Sequence, residues 1–207
     1  KETLEHSAPI IMVSGTSMNT GKTYACAQIV AQFSQLGLQV AAAKLTGASL
    51  MRDTRAMRDA GAVAVHTFTD AGIVTSTSHN IVPAAKGIIQ KLNSYQPDVI
   101  VAELGDGFIG YYGVDDILID KEIQKFVKAH IVATVDLVGA WASREIFQNR
   151  YGQSITLITG PVTDNAVGKR YIQQTLGITA YNAKQDGEAI GGMLKKIMQK
   201  NRNGDAN

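Results

Sequence analysis

The hydrophobic pattern switches repeatedly between two periods along the chain. Ile10-Ile11-Met12-Val13 is a short continuous apolar run, and Tyr24 to Leu36 then spaces its apolar residues as a helix does, up to Gly37. Leu38 to Ala43 is apolar again and ends at Lys44; Leu50 to Ala60 reads as a short charged helix stopped by Gly61. Asp98 to Glu103, His130 to Val135 and Ser154 to Thr159 read as buried strands, with shorter ones over Val63 to Phe68 and Ile178 to Tyr181. Helical period returns over Asn80 to Tyr95 with Pro83 in the first turn, and over 115–129, 138–148, 163–176 and 186–200. Leu45 to Ser49, Thr69 to Asn80 and Gly105 to Gly113 read as loops.

Strands that are apolar throughout, alternating with helices, predict an α/β fold: a mostly parallel sheet with helices on both faces. Residues 10–200 read as one domain, followed by a disordered tail over 201–207. Polar residues 1–9 read as a linker, which leaves room for a domain before this one. In such a sheet, ligands collect at the carboxyl ends of the strands. The polar residues that follow strands are therefore the ones to take seriously.

Foremost among them is Gly15-Thr16-Ser17-Met18-Asn19-Thr20-Gly21-Lys22-Thr23, set between the first strand and the first helix. Strand, glycine-bounded loop and helix start form a phosphate-binding loop, in which successive N–H groups and the helix N-terminus face an anion. Lys22 is placed to reach the β- and γ-phosphates, and the Thr23 hydroxyl to ligate Mg²⁺. The first glycine stands one position earlier than the usual pattern has it, at Gly15 rather than at Thr16.

Three further residues sit at strand ends or just beyond. Glu103 closes an apolar strand before Leu-Gly-Asp-Gly, the place of an acid that holds the metal bridging nucleotide phosphates; Asp106 is the second choice. Lys44 ends the second strand, where it could bind an anionic substrate or stabilise charge during phosphoryl transfer. Asp53 could add a carboxylate to the metal, or simply pair with Arg52, Arg55 or Arg58 on the surface. His66 and His79 lack the spacing of a metal site.

Composition narrows the alternatives. The 207 residues are 45% hydrophobic and 18% charged, with a net charge of +2, so there is no basic footprint for nucleic acid or an anionic membrane surface. No apolar run approaches the roughly 20 residues of a membrane span. The single cysteine, Cys26, excludes an internal disulfide and suggests a small packed residue. No secretory leader is visible, and a reducing, cytoplasmic setting is the expectation.

With these residues laid out, the chain resembles the dethiobiotin-synthetase-like branch of P-loop NTPases, which also contains ATP-dependent amidase and ligase domains of cobyrinate synthesis. Gly15 to Thr23 is similar to that family's loop, with five residues between the glycines. Lys44-Leu-Thr-Gly47 is similar to its second-strand lysine motif, and Ala102-Glu-Leu-Gly-Asp-Gly107 to its Glu-Gly-Ala-Gly-Gly segment. The resemblance implies that residues from Gly15 to Tyr24 hold ATP, that Thr23, Asp53 and Glu103 hold Mg²⁺, and that Lys44 contacts substrate; Lys22 and Lys44 are the expected catalytic residues, neutralising charge during the transfer. It implies a homodimer with substrate near the interface, and Asn165 as the adenine contact. Ser17, Asn19 and Leu45 depart from the synthetase pattern, and Ser17 stands where the partitioning ATPases have a lysine. No Asn-Lys-x-Asp motif for guanine is present, which favours ATP over GTP.

Two functions follow as expectations. The first is Mg²⁺- and ATP-dependent activation of a small anionic substrate, a carboxylate or carbamate, by phosphoryl transfer. The alternative is a nucleotide-dependent regulatory switch within a larger protein.

Overall fold

A computed structural model describes residues 2–48 and 51–204. Its centre is a sheet of seven strands: β1 (Ile10–Gly15), β2 (Val40–Thr46), β3 (Ala64–Thr67), β4 (Val99–Leu104), β5 (Val127–Ala133), β6 (Leu157–Thr159) and β7 (Thr179–Ala180). They lie in the order β3-β2-β4-β1-β5-β6-β7, and every pair is parallel. All strand carboxyl ends therefore meet at one edge, as the continuous apolar runs require of a sheet covered on both faces.

One face is covered by α1 (Lys22–Gln35), α2 (Met51–Asp59) and α8 (Gly187–Gly204). Ile29, Phe33, Met57, Ile190 and Leu194 pack there against Ile11, Val13 and Val101. The other face is covered by α3 (Ile81–Asn93), α4 (Val114–Ile119), α5 (Lys121–Gln124), α6 (Leu137–Ile146) and α7 (Ala166–Gln174). Ile88, Ile117, Phe108, Phe147 and Ile172 lie against Met12, Ile100 and Val132. The alternation of Ile11 and Met12 between these two cores is the two-residue period of the strand.

Several boundaries differ from the sequence expectation. The helix expected over 115–129 is two short helices, because Asp120 leaves helical geometry and its carboxylate accepts the Ile123 N–H at 2.9 Å. β5 accordingly begins at Val127. The expected loop after residue 68 opens with a 3₁₀ turn over Phe68–Ala71, capped reciprocally by Thr67 and Asp70. α8 runs on through four residues of the expected tail, and 205–207 lie outside the described residues.

Residues 2–9 are not a free tether. Leu4 is only 5% exposed and lies in the core, worth roughly 2 kcal/mol by burial alone. Its N–H donates to Glu122, whose carboxylate also pairs with Lys86 at 3.0 Å; Ala8 N–H donates to Asn93. No helix among the described residues is long and apolar enough to cross a membrane.

β5 carries one buried titratable group. His130 packs edge-on against Phe147, and its Nδ1 has no hydrogen-bond partner among the described residues. Burial pulls its pKa from 6.5 to about 4, with a hydrogen bond to Gln153 acting in the opposite sense. The folded state therefore resists protonation that the unfolded chain accepts. The neutral imidazole's stabilisation is present in full above pH 6.5 and is lost as the pH falls from there towards 4. The loss amounts to about 3 kcal/mol. Urea unfolding across this range is expected to show it, and His130→Leu to flatten that part of the profile.

Candidate functional site

The loop between β1 and α1 is built as a cradle. Thr16 N–H donates to Ala133 O on β5 at 3.2 Å, Asn19 turns at φ 60°, and Gly21 caps α1 at φ 96°. Thr20 is fully buried and its hydroxyl donates to Ser17 O at 3.2 Å. Lys22 bends back across the loop, its ammonium donating to Ser17 O at 2.7 Å. Burial holds that ammonium below its usual pKa range, with the carboxylates of Glu103 and Asp106 opposing the shift. A cation held short of its ordinary solvation, with two more donors than its one protein acceptor uses, suits a polyanion.

Beneath the loop the register of the sheet does the positioning. Glu103 on β4 lies directly opposite Lys44 on β2 and Val13 on β1. Glu103 is 2% exposed and Lys44 5%. Asp53, in the first turn of α2, is equally buried and pairs with the Lys44 ammonium. Thr23 stands in the first turn of α1 with its hydroxyl 3.0 Å from Glu103 Oε1 and 3.3 Å from Asp53 Oδ1. The single hydroxyl proton serves one carboxylate at a time. Glu103 Oε2 has no hydrogen-bond partner among the described residues. Burial raises the Glu103 carboxyl above its usual range, opposed by the Lys44 charge and reinforced by Asp53.

This donor set fits Mg²⁺. Two carboxylates and a hydroxyl present hard oxygen atoms within hydrogen-bond distance, and one carboxylate oxygen is buried without a partner. Among the described residues no group of three Asp, Glu, His or Cys side chains converges, so the remaining ligands would be phosphate oxygens and water, which is how Mg²⁺ is usually held. Cys26 lies directly behind, its thiol pushed well up by burial, and is a packing residue as expected.

Asp53 could have been a surface partner of neighbouring arginines; it faces inward instead, while Arg55 approaches Asp59 at 3.7 Å. These groups open on a cleft of about 530 Å³ that extends past the loop to Ala48, Ala56, Asp106 and Tyr112. Gly107 packs so closely that a Cβ there would stand 2.4 Å from Thr16 O. Its segment is thereby clamped onto the phosphate loop. Asp106, at φ 68°, accepts the Gly107 N–H.

Asn165 is elsewhere engaged. It caps α7, its side-chain oxygen accepting the Gly168 N–H at 2.9 Å, and it does not line the pocket beside the loop. Across from Asn19, Gly21 and Tyr24, that pocket is closed by residues that the sequence reading did not single out, among them Asp164 and Asn182. Asn182 follows the last strand, and the strand-end rule applied to β7 would have found it. Ser76 was also missed. It is buried, accepts the Gly47 N–H and donates to Tyr112 O, tying three loops together around the cleft. Nothing in a Ser/Thr-rich stretch distinguishes that serine.

No family model matches the sequence, and no curated protein matches it. Solved structures do match in fold. Signal recognition particle 54 kDa protein from Aeropyrum pernix K1, solved in complex with GDP, has a TM-score of 0.58 at 15% identity over 96% of this chain and 48% of that one. The signal recognition particle receptor FtsY from Elizabethkingia anophelis has a TM-score of 0.52 at 16% identity over 76% of this chain and 51% of that one. Hydrogenase maturation factor HypB from Archaeoglobus fulgidus has a TM-score of 0.57 at 13% identity over 92% and 90%. The chain spans about half the length of the two signal-recognition proteins. All three neighbours are P-loop NTPases, and at these identities what they share with this chain is the fold. None of the three is a dethiobiotin synthetase.

Proposed function

We propose that this chain is a Mg²⁺-dependent nucleoside triphosphatase whose bound nucleotide sets the position of the loops around the cleft: a switch. The observation that carries this reading is the convergence of Thr23, Asp53 and Glu103 oxygens beneath a phosphate loop whose lysine is buried. Mg²⁺, when bound, supplies the positive charge that neutralises phosphate oxygens. The chain's own groups do the rest. Loop N–H groups and Lys22 would hold the β- and γ-phosphates, and Glu103, Asp53 and the Thr23 hydroxyl would supply protein oxygens to the cation. With Asp53 so engaged, Lys44, its present ion-pair partner, would be available to face the γ-phosphate and stabilise charge there.

The switch reading is supported by how these groups are connected. Asp53 belongs to α2, Glu103 leads into the Gly105–Gly113 segment, and Ser76 ties that segment to the turn at Gly47. Exchange of Lys44 for a cation at Asp53 would be felt in all three places. Likeness in fold to signal-recognition proteins, one of them solved with GDP, favours this reading over ligase chemistry. A second reading, phosphoryl activation of a small carboxylate or carbamate, is favoured by the part of the cleft beyond the loop. There Asp106, Tyr112 and Ala48 surround space next to Lys44.

Calorimetric titration with non-hydrolysable ATP and GTP analogues, with and without Mg²⁺, tests the shared core of both readings. Metal-dependent binding of either is expected, and binding of neither would overturn it. Turnover raised only by a protein partner points to the switch; turnover raised by a small carboxylate alone points to the second reading. Lys22→Ala is expected to weaken nucleotide affinity by about 100-fold, the worth of a buried charged hydrogen bond, with the melting temperature little changed. Glu103→Gln should shift the Mg²⁺ titration of binding to higher concentration while leaving metal-free affinity largely intact. An identical metal titration would remove Glu103 from the site.

A further inference from the structure

Beside the phosphate loop lies a second pocket of about 120 Å³ that shares Asn19, Gly21 and Tyr24 with the main cleft. Its other side is made by Asp164, in the turn after β6, and by Asn182 and Lys184, after β7. The two walls are pressed together at Gly160, where a Cβ would stand 2.6 Å from Thr20 O. A nucleotide whose phosphates lie along Gly15 to Thr23 can reach this pocket with its base. We propose that the pocket reads the base through the Asp164 carboxylate, and that it selects guanine over adenine. The inference rests on the nucleotide reading above and adds the identity of the base.

The selection follows from donor and acceptor chemistry. An ionised carboxylate only accepts hydrogen bonds, and it offers two oxygens side by side. Guanine presents two adjacent donors, N1–H and the 2-amino group, which match those oxygens. Adenine presents its 6-amino donor beside N1, a lone pair, so one carboxylate oxygen would face repulsion. An asparagine in the same place would set its amide N–H donors against one of the two guanine donors; a carboxylate accepts both.

Asp164 is held as a reading group has to be. Asn182, 2% exposed, donates its side-chain N–H to Asp164 Oδ1 at 2.7 Å. The amide of Asn182 is itself locked, because its side-chain oxygen accepts the Lys184 N–H at 2.9 Å. The Asn182 backbone N–H donates to Asp186 Oδ2 at 2.8 Å, and the same oxygen takes the Lys169 ammonium at 2.6 Å. Lys169 holds the Asp186 carboxyl below the usual range, so this anchor is charged at neutral pH. A chain of four residues, Lys169, Asp186, Asn182 and Asp164, linked through the Asn182 backbone N–H and side-chain amide, thus ends at the pocket wall. The second Asp164 oxygen takes no hydrogen bond from the described residues. The sequence expectation of ATP rested on the resemblance to an ATP-dependent family and on the missing Asn-Lys-x-Asp motif, and here a carboxylate reaches the pocket from outside that motif.

The test compares GTP, ITP, ATP and XTP in competition for the full chain with Mg²⁺, beside inorganic tripolyphosphate as a base-free probe. GTP is expected to bind tightest, ITP weaker for want of the 2-amino group, and ATP about 10- to 100-fold weaker than GTP. Asp164→Asn keeps an acceptor for Asn182 but replaces one carboxylate oxygen by a donor. It should lower GTP affinity by about 10- to 100-fold and raise XTP affinity, because xanthine carries a carbonyl where guanine carries its amine. ATP binding as tight as GTP, or GTP affinity unchanged in Asp164→Asn, overturns the base assignment and leaves the phosphate loop standing. Failure of every nucleotide and of tripolyphosphate overturns both.

Discussion

Four charged side chains, Lys22, Lys44, Asp53 and Glu103, are buried together at the carboxyl edge of the sheet, and much else is arranged to make that bearable. A buried charge left alone costs several kcal/mol, so each must lie near an opposite one. Lys44 and Glu103 are brought side by side by strand register, which admits no adjustment short of moving every side chain of β2 or β4. Asp53 must then be delivered by α2, whose first turn comes back over the end of β2. Thr23 completes the group from the first turn of α1. The neutralisation is incomplete. Glu103 keeps an oxygen without a partner among the described residues and a raised pKa, the kind of local cost that persists where a site has a ligand to bind.

The loops around this centre owe their shape to contacts between backbones. Gly107 lets one segment lie against the phosphate loop, and Gly160 lets the turn after β6 lie against its other side. The main cleft and the smaller pocket are consequently two compartments of one groove, divided where Gly21 and Tyr24 line both. Ser76 links the turn at Gly47 to Tyr112, which ties the loops on the side of the cleft nearest Lys44 to one another. On the proposed reading, base, phosphates and cation would each meet a different strand end, and a single nucleotide would connect them.

The legible residues were those with one strong local signal. Glu103 ends a continuous apolar run, Lys22 and Thr23 follow a glycine-bounded loop, and all three lie at the centre of the site. Asp53 was ambiguous because a helix start flanked by arginines looks alike whether it faces solvent or a cleft. Asn165 was open to two readings for a comparable reason: an asparagine ahead of a helix is a cap at least as often as a ligand, and here its side chain caps α7. The helix expected over 115–129 failed because Asp120 can end one helix and begin another, and periodicity averages over such a break.

By itself, the sequence determined the alternation of strands and helices, the parallel sheet, and the phosphate loop at its centre. These depend on periods of two and 3.6 and on a spacing of glycines, all properties of neighbouring residues. Only the tertiary structure decided that Asp53 turns inward to Lys44, that residues 2–9 dock through Leu4 and Glu122, and that Asp164 meets Asn182 beside the loop. Each of these joins residues from different elements, across 9 positions for Lys44 and Asp53 and 118 for Leu4 and Glu122. Strand order and register set such distances, and no local pattern encodes them.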